Sequence, residues 1–244
     1  IFYYLFLKFL IFKKKLNYLN VELIVSCGRV AAPLSLIYKR VCQAKIINIL
    51  DPYFRRKEFN KIIIPNHDKK LKGGNFLHIN GSLVNTELIK IKKSDVYRFS
   101  YLVDTKKKKI VILVGGNSKR TKFKCEDINK FTMYLQMINL QNNSLYFLFS
   151  RRTSNEIKIA IKNNFKTAFI WDEKSQNPYW FLLNEADFII VTEDSISMIS
   201  EAISLYKPVY IFKLQILKEK NRNFTQFLVT KKIVKSFNGS LNLW

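Results

Sequence analysis

The stretch FIIVTEDSISMISEAISLYKPVYIF, residues 188–212, contains in order a buried strand, a polar turn, a helix and a second buried strand. Both apolar runs are short and rich in β-branched or aromatic residues, and the segment between them spaces its apolar side chains as a helix does. A strand, a helix and a second strand connected in this way normally form two parallel strands of one sheet. The segment therefore predicts an α/β fold.

The same alternation continues along the rest of the chain and predicts two Rossmann-like domains, residues 1–104 and 105–244. A charged connector, VDTKKKK at 103–109, separates them. We expect the first domain to be incomplete, because the chain begins at Ile1 and its first strand starts only near Glu22. The predicted strands are 22–26, 45–50, 61–65 and 76–79 in the first domain, and 110–114, 145–150, 168–171, 188–192 and 209–212 in the second.

The composition is strongly basic, with 42 Lys and Arg against 18 Asp and Glu and a formal net charge of +24. A field of this sign attracts nucleic acids or anionic membranes. An excess of Lys, Ile, Asn and Phe over Gly and Pro is also what an AT-rich coding sequence produces, whatever the function. No nucleic-acid-binding motif accompanies the charge, so we do not expect a nucleic-acid partner, and an anionic membrane surface stays open.

The cysteines and the N-terminal segment bear on location. The 3 cysteines have no CxxC spacing, which indicates neither a disulfide framework nor a zinc site and fits a reducing cytoplasm. The opening IFYYLFLKFLIFKKK is shorter than the ~20 residues that span a bilayer, and its lysines follow the apolar run, the reverse of a signal peptide. This N-terminal segment has three interpretations: a buried element, an interfacial helix or a remnant of a longer element. We expect a cytoplasmic protein, with peripheral contact to the inner membrane as an addition.

Polar residues cluster where strands of the second domain end. Because ligands of such sheets bind beyond the carboxyl ends of the strands, these residues are candidates for a nucleotide site. Glycines let a backbone approach a ligand, guanidinium groups suit phosphate oxygens, and a helix carboxylate can accept hydroxyl groups of a ribose. Turn geometry and helix capping are the competing explanations. The candidates are Gly115, Gly116, Asn117, Ser118, Ser150, Arg151, Arg152, Asp194, Ser195, Ser197 and Glu201.

The first domain offers one candidate catalytic residue, His67, in PNHD at 65–68. Its intrinsic pKa suits a general base, although a lone histidine is more often structural. No spacing of two histidines and a carboxylate occurs, so we expect no metal. Asn177 and Pro178 are interpreted as the entry to a helix.

Six motifs in order resemble the ELM (elongated mitochondria) family of mitochondrial-fission proteins, in an alphaproteobacterial-type member: SCGRVAAPLSL, PNHD, VGGNSKR, SRRT, NPY and VTEDSISMISEA. That family is similar to GT-B glycosyltransferases, so the resemblance implies that the two Rossmann-like domains have a GT-B-like arrangement. The resemblance implies that Ser195, Ser197 and Glu201 hold a nucleotide-sugar, that Lys207 and Pro208 form the family's KP pair, and that relatives have a longer N-terminal region. For eukaryotic relatives, the resemblance implies a location on the outer surface of mitochondria.

Two functions are compatible with these observations. The first is a metal-independent glycosyltransferase with a nucleoside-diphosphate sugar as donor and no tightly bound cofactor. The second is a non-catalytic, membrane-associated adaptor in organelle or cell division.

Overall fold

The computed structural model describes Leu5 and residues 20–68, 71–85, 87, 90, 92–138 and 140–243. Apart from Leu5, the N-terminal apolar segment lies outside the described residues. The chain divides into two compact units, Ile1–Asn80 and Gly81–Trp244. This boundary precedes the predicted connector at 103–109, because the residues before the connector pack on the second unit: the Phe99 ring lies 5.7 Å from the Phe181 ring.

The first unit contains a parallel four-stranded sheet in the order β1-β2-β3-β4. A helix, α1 (Gly28–Cys42), connects the first two strands, and Pro33 lies inside it, near its start. Apolar residues of α1 and of the strands, among them Leu36, Ile46 and Ile62, form the core of this unit. The strands are β1 (Leu23–Cys27), β2 (Lys45–Ile49), β3 (Lys61–Pro65) and β4 (Phe76–Ile79).

The second unit contains a six-stranded sheet in the order β10-β9-β8-β5-β6-β7, and every pair in it is parallel. Chain order therefore runs outward from β5 in one direction and from β8 in the other, which is the doubly wound Rossmann order with its switch point between β5 and β8. The strands are β5 (Lys108–Val114), β6 (Asn143–Phe149), β7 (Phe169–Ile170), β8 (Phe188–Thr192), β9 (Val209–Phe212) and β10 (Lys235–Ser236).

Helices cover both faces of this sheet. One apolar cluster includes Ile112 and Phe147 of the strands with Phe131 and Ile157 of the helices, and a second cluster lies on the other face. Burial on both faces explains why β5 is continuously apolar from residue 110 to residue 114. The helices are α2 (Lys93–Phe99), α3 (Cys125–Gln136), α4 (Asn155–Asn164), α5 (Tyr179–Glu185), α6 (Ile196–Ile203) and α7 (Glu219–Thr230).

Apolar residues at 86–102, among them Val96 and Phe99, are spaced as in a helix and predict one over that range. Where this segment is described, the helix is shorter than expected. It begins at Lys93, and its last predicted turn, Ser100–Leu102, is a 3-10 helix. Part of the predicted helix, at 86, 88, 89 and 91, lies outside the described residues. Among the helices that are described, none combines the length and the apolar character that crossing a membrane requires.

Candidate functional site

The carboxyl ends of β5 and β8 are joined by the buried side chain of Asp194. Its Oδ2 accepts a hydrogen bond of 2.9 Å from the Gly116 amide, and its Oδ1 accepts one of 2.6 Å from the Thr192 hydroxyl. Thr192 Oγ1 in turn accepts a hydrogen bond of 2.7 Å from the Gly115 amide. These three bonds hold the two strand ends together at the switch point of the sheet.

Gly115 and Gly116 are needed here because other parts of the protein come very close to them. A Cβ atom on Gly115 would lie 2.0 Å from both carboxylate oxygens of Asp194, and one on Gly116 would lie 1.9 Å from the Arg152 carbonyl oxygen. The two glycines therefore make room for the turns that follow β8 and β6. Their approach to a ligand stays a prediction.

The turn after β6 distinguishes the two arginines of SRRT. Thr153 links the turn to the end of β5, since its hydroxyl lies 2.9 Å from the Val114 carbonyl oxygen and 2.8 Å from that of Gly115 and shares its one proton between them. Arg152 Nη2 lies 3.7 Å from Asp194 Oδ2. Arg151 is exposed and forms no hydrogen bond or ion pair with the residues that the structure describes. Of the two arginines, Arg152 is therefore the one whose guanidinium lies at the switch point.

Asp194 is placed where its negative charge is poorly solvated. Burial is the largest influence and raises the pKa of Asp194 above its ordinary value, while hydrogen bonds from Thr192 and Gly116 and the charge of Arg152 oppose that rise. The Arg152 side chain is 47% exposed. A guanidinium has five N–H donors, so most of those of Arg152 are available to a second anion.

Asn117 and Ser118 open the loop that follows β5. Asn117 Oδ1 accepts a hydrogen bond of 2.8 Å from the Phe123 amide, so this oxygen closes the loop. The Ser118 and Thr121 hydroxyls are buried and have no hydrogen-bond partner in the described part of the chain. Ser118 therefore retains a polar group that a ligand or a water molecule could satisfy.

Helix α6 begins at this same edge of the sheet, because it follows β8. Ser195 caps it by accepting a hydrogen bond of 3.4 Å from the Met198 amide, and Ser197 is exposed in its first turn. Glu201 lies in the second turn, where its Oε2 accepts a hydrogen bond of 2.5 Å from the Tyr179 hydroxyl. Its Oε1 forms no hydrogen bond with any described residue.

Glu193, one of the two carboxylates in TEDS (192–195), has a structural role that sequence reasoning missed. Glu193 is 3% exposed, and its carboxylate accepts hydrogen bonds from the Leu214 amide at 3.2 Å and from the Thr225 hydroxyl. Asn221 donates a hydrogen bond of 2.6 Å to the Asp194 carbonyl. Glu193 and Asn221 therefore anchor the turn after β8 to the segment after β9 and to α7.

His67, the predicted base, lies in the turn after β3 and is half-buried. It belongs to the first unit, whereas all the other candidates belong to the second. Its catalytic role stays a prediction. Among the residues described, no group of three His, Cys, Asp or Glu side chains is arranged to hold a metal ion.

The fold is that of GT-B-like proteins, as three solved structures show. A UDP-GlcNAc 2-epimerase from Methanocaldococcus jannaschii matches 99% of this chain and 75% of its own with a TM-score of 0.56 and 11% identity. The Neisseria meningitidis UDP-GlcNAc 2-epimerase, bound to UDP-GlcNAc, matches the same shares with a TM-score of 0.51 and 13% identity. The glycotransferase of kitacinnamycin matches 98% and 68% with a TM-score of 0.53 and 10% identity. The predicted α/β fold with Rossmann-like domains is confirmed.

The chain belongs to the family described as Mitochondrial fission ELM1, whose model matches residues 11–244. It is 30% identical to uncharacterized protein RP120 of Rickettsia prowazekii (strain Madrid E), over 91% of this chain and 73% of that protein. It is 21% identical to mitochondrial fission protein ELM1 of Arabidopsis thaliana, over 89% of this chain and 57% of that protein. The family predicted from the motifs is confirmed.

Proposed function

We propose that the second unit binds a nucleoside-diphosphate sugar at the carboxyl edge of its sheet and that the protein is a glycosyltransferase. The observation that carries this proposal is Arg152, whose guanidinium lies 3.7 Å from the buried Asp194 carboxylate at the switch point. Ligands of doubly wound sheets bind at such points. One of the fold neighbours is described as bound to UDP-GlcNAc, which supports the choice of ligand class.

The diphosphate would be held by positive charge and by N–H groups. Arg152 contributes a half-exposed guanidinium, and a planar fork of this kind binds phosphate oxygens in pairs. The N-terminus of α6 lies at the same edge, and a helix N-terminus favours anions through its dipole and its free amides. Ser118 adds a hydroxyl that has no hydrogen-bond partner among the described residues.

The ribose would be held by Glu201. A ribose hydroxyl is a donor and needs an acceptor, and Oε1 of Glu201 makes no hydrogen bond with the described residues. The carboxylate lies on the second turn of the helix whose N-terminus would face the phosphates. In a nucleoside diphosphate the ribose follows directly after the two phosphates, which matches this sequence of groups.

Transfer would break the bond between the anomeric carbon and the diphosphate oxygen and form a bond from that carbon to an acceptor hydroxyl. The acceptor proton would pass to a base. The diphosphate leaves with a developing negative charge. Arg152 and the α6 dipole would stabilise that charge directly, so the proposed reaction uses no metal.

Calorimetric titration of the chain with UDP, UDP-GlcNAc and the corresponding adenosine and guanosine diphosphates tests this proposal. We expect binding of at least one, and we expect Glu201→Ala to weaken it about tenfold, the loss typical of a hydrogen bond to a charged group. A chain that is folded by circular dichroism but binds none of these nucleotides contradicts the proposal.

A second candidate, a non-catalytic adaptor at an anionic membrane, is supported by a basic surface. The segments 117–124 and 213–222, the second of which includes the first turn of α7, are joined by a hydrogen bond of 3.1 Å from the Lys122 amide to the Ile216 carbonyl. Their cationic side chains are Lys119, Arg120, Lys122, Lys124, Lys213, Lys218, Lys220 and Arg222. Flotation with vesicles of phosphatidylcholine and phosphatidylglycerol tests this candidate. Binding that is lost at high salt, in a chain without nucleotide affinity, favours the adaptor.

A further inference from the structure

Tyr179 connects the NPY motif to the candidate ribose-binding carboxylate. Its hydroxyl donates a hydrogen bond of 2.5 Å to Glu201 Oε2, which links the start of α5 to the second turn of α6. Besides the family resemblance, the sequence indicates a helix entry at Asn177 and Pro178 and no role for Tyr179. The structure gives the motif a second property, since it places a donor against the one carboxylate of α6.

The position of Tyr179 is itself held by its neighbours. Asn177 Oδ1 accepts a hydrogen bond of 3.0 Å from the Tyr179 amide, and Pro178 is buried. The Tyr179 ring packs edge-on against the Trp180 ring at 5.2 Å between centroids. Each residue of the motif thus contributes to the placement of the hydroxyl group.

The chemistry of the pair makes Tyr179 a permanent donor. Burial, and then the negative charge of Glu201, raise the pKa of Tyr179 above its ordinary value. The phenol therefore keeps its proton at neutral pH. A phenol can donate only one proton, so it restrains Oε2 and leaves Oε1 as the oxygen that can accept a ligand hydroxyl.

We propose that Tyr179 is the positioning residue that orients Glu201 toward the ribose diol, and that the site thereby prefers a ribonucleoside diphosphate over its 2′-deoxy form. This inference rests on the proposed function. A carboxylate oxygen kept in place to accept a hydroxyl is left without a partner when the ligand lacks that hydroxyl, and such sites discriminate strongly between the two ligands. A carboxylate free to rotate would discriminate less.

The test compares the binding of UDP and 2′-deoxy-UDP to the wild-type chain and to Tyr179→Phe, which removes only the hydroxyl. We expect the wild type to bind UDP about tenfold more tightly than 2′-deoxy-UDP. In Tyr179→Phe we expect this ratio to approach one, with the affinity for 2′-deoxy-UDP changed less than about twofold. Tyr206→Phe is the matched control, because Tyr206 is 98% exposed, and it should keep the wild-type ratio.

The outcomes separate this inference from the proposed function on which it rests. A wild-type chain that binds neither UDP nor the other nucleoside diphosphates contradicts the proposed function and this inference with it. If UDP binds but the wild type does not prefer it over 2′-deoxy-UDP, only the positioning role is overturned. The same holds if Tyr179→Phe keeps the preference, or if it weakens the binding of both ligands equally. Thermal unfolding of both variants shows whether an equal loss of affinity reflects a less stable fold.

Discussion

Gly115 and Asp194 approach so closely that a Cβ atom on residue 115 would lie 2.0 Å from both carboxylate oxygens. Residue 115 follows the first strand of the second unit and residue 194 follows the fourth, so the contact joins the two strands that flank the switch point. A carboxylate that also accepts the Gly116 amide cannot easily move away. The shape of the proposed nucleotide site therefore depends on a contact within the protein.

Replacement of Gly115 by Ala should destabilise the protein. The added methyl group overlaps the buried carboxylate, and overpacking of this kind typically costs about 1–3 kcal/mol. Urea unfolding of Gly115→Ala measures the loss in the free energy of unfolding. Gly74→Ala is the control, since a Cβ atom there meets no atom within 4 Å, and it should change stability by less than about 1 kcal/mol. Equal effects of the two substitutions contradict the structure at this point.

The raised pKa of Asp194 predicts a characteristic pH dependence. A carboxyl group whose pKa is higher in the folded protein than its ordinary value of 3.8 contributes most to stability below 3.8, and that contribution is lost as the pH rises through the folded pKa. Asp194→Asn has no proton to lose. The unfolding free energy of the wild type minus that of Asp194→Asn should therefore fall as the pH rises above about 3.8, as urea titrations at several pH values can show. A difference that grows with pH would mean that Arg152, Thr192 and the Gly116 amide outweigh burial.

The two arginines of SRRT should differ in their effect on diphosphate binding. Arg152→Ala should weaken the binding of UDP about tenfold or more and leave the binding of uridine unchanged. The reason is that a guanidinium at the switch point would contact only the phosphates. Arg151→Ala is the matched control and should change UDP binding by less than about threefold, in keeping with a surface charge. Calorimetry with UDP and uridine compares the variants. The assignment of the phosphate residue is wrong if Arg151→Ala has the larger effect.

Lys207 of the KP pair should contribute to stability through the end of α5. Its Nζ donates a hydrogen bond of 2.7 Å to the Ala186 carbonyl and another hydrogen bond to the Asn184 carbonyl. Lys207→Met keeps most of the side-chain volume but leaves both carbonyls without this donor, a loss of about 1–3 kcal/mol. Thermal or urea unfolding measures it, with Lys166→Met at an exposed position as control. A stability loss no greater than that of the control would remove this role.

The sequence predicted most of the second unit because its strands are buried on both faces. β8 and β9 have the predicted bounds, and β5 and β6 begin two residues earlier than expected. β10 was missed because Lys235 and Ser236 are polar and exposed, so no apolar run marks the strand. The two units divide at residue 80, before the expected boundary at 104, because α2 packs on the second unit through the contact of Phe99 with Phe181. Local composition does not reveal a tertiary contact of this kind.

The site was predicted only as far as strand ends can indicate it. Polar residues after β5, β6 and β8 show where a ligand could bind in a parallel sheet. The pairs Tyr179–Glu201 and Glu193–Thr225 join residues that lie 22 and 32 positions apart, so they could not be inferred from spacing along the chain. Likewise, only the position of Asp194 distinguishes Arg152 from its neighbour Arg151.

A crystal structure after soaking with UDP would show whether one edge of the second sheet binds a nucleoside diphosphate. We expect electron density for the diphosphate beside the Arg152 guanidinium and the N-terminus of α6, with the ribose against Glu201. Nucleotide density at any other place on the chain, or a fully occupied ligand that leaves both Arg152 and Glu201 untouched, would contradict this expectation.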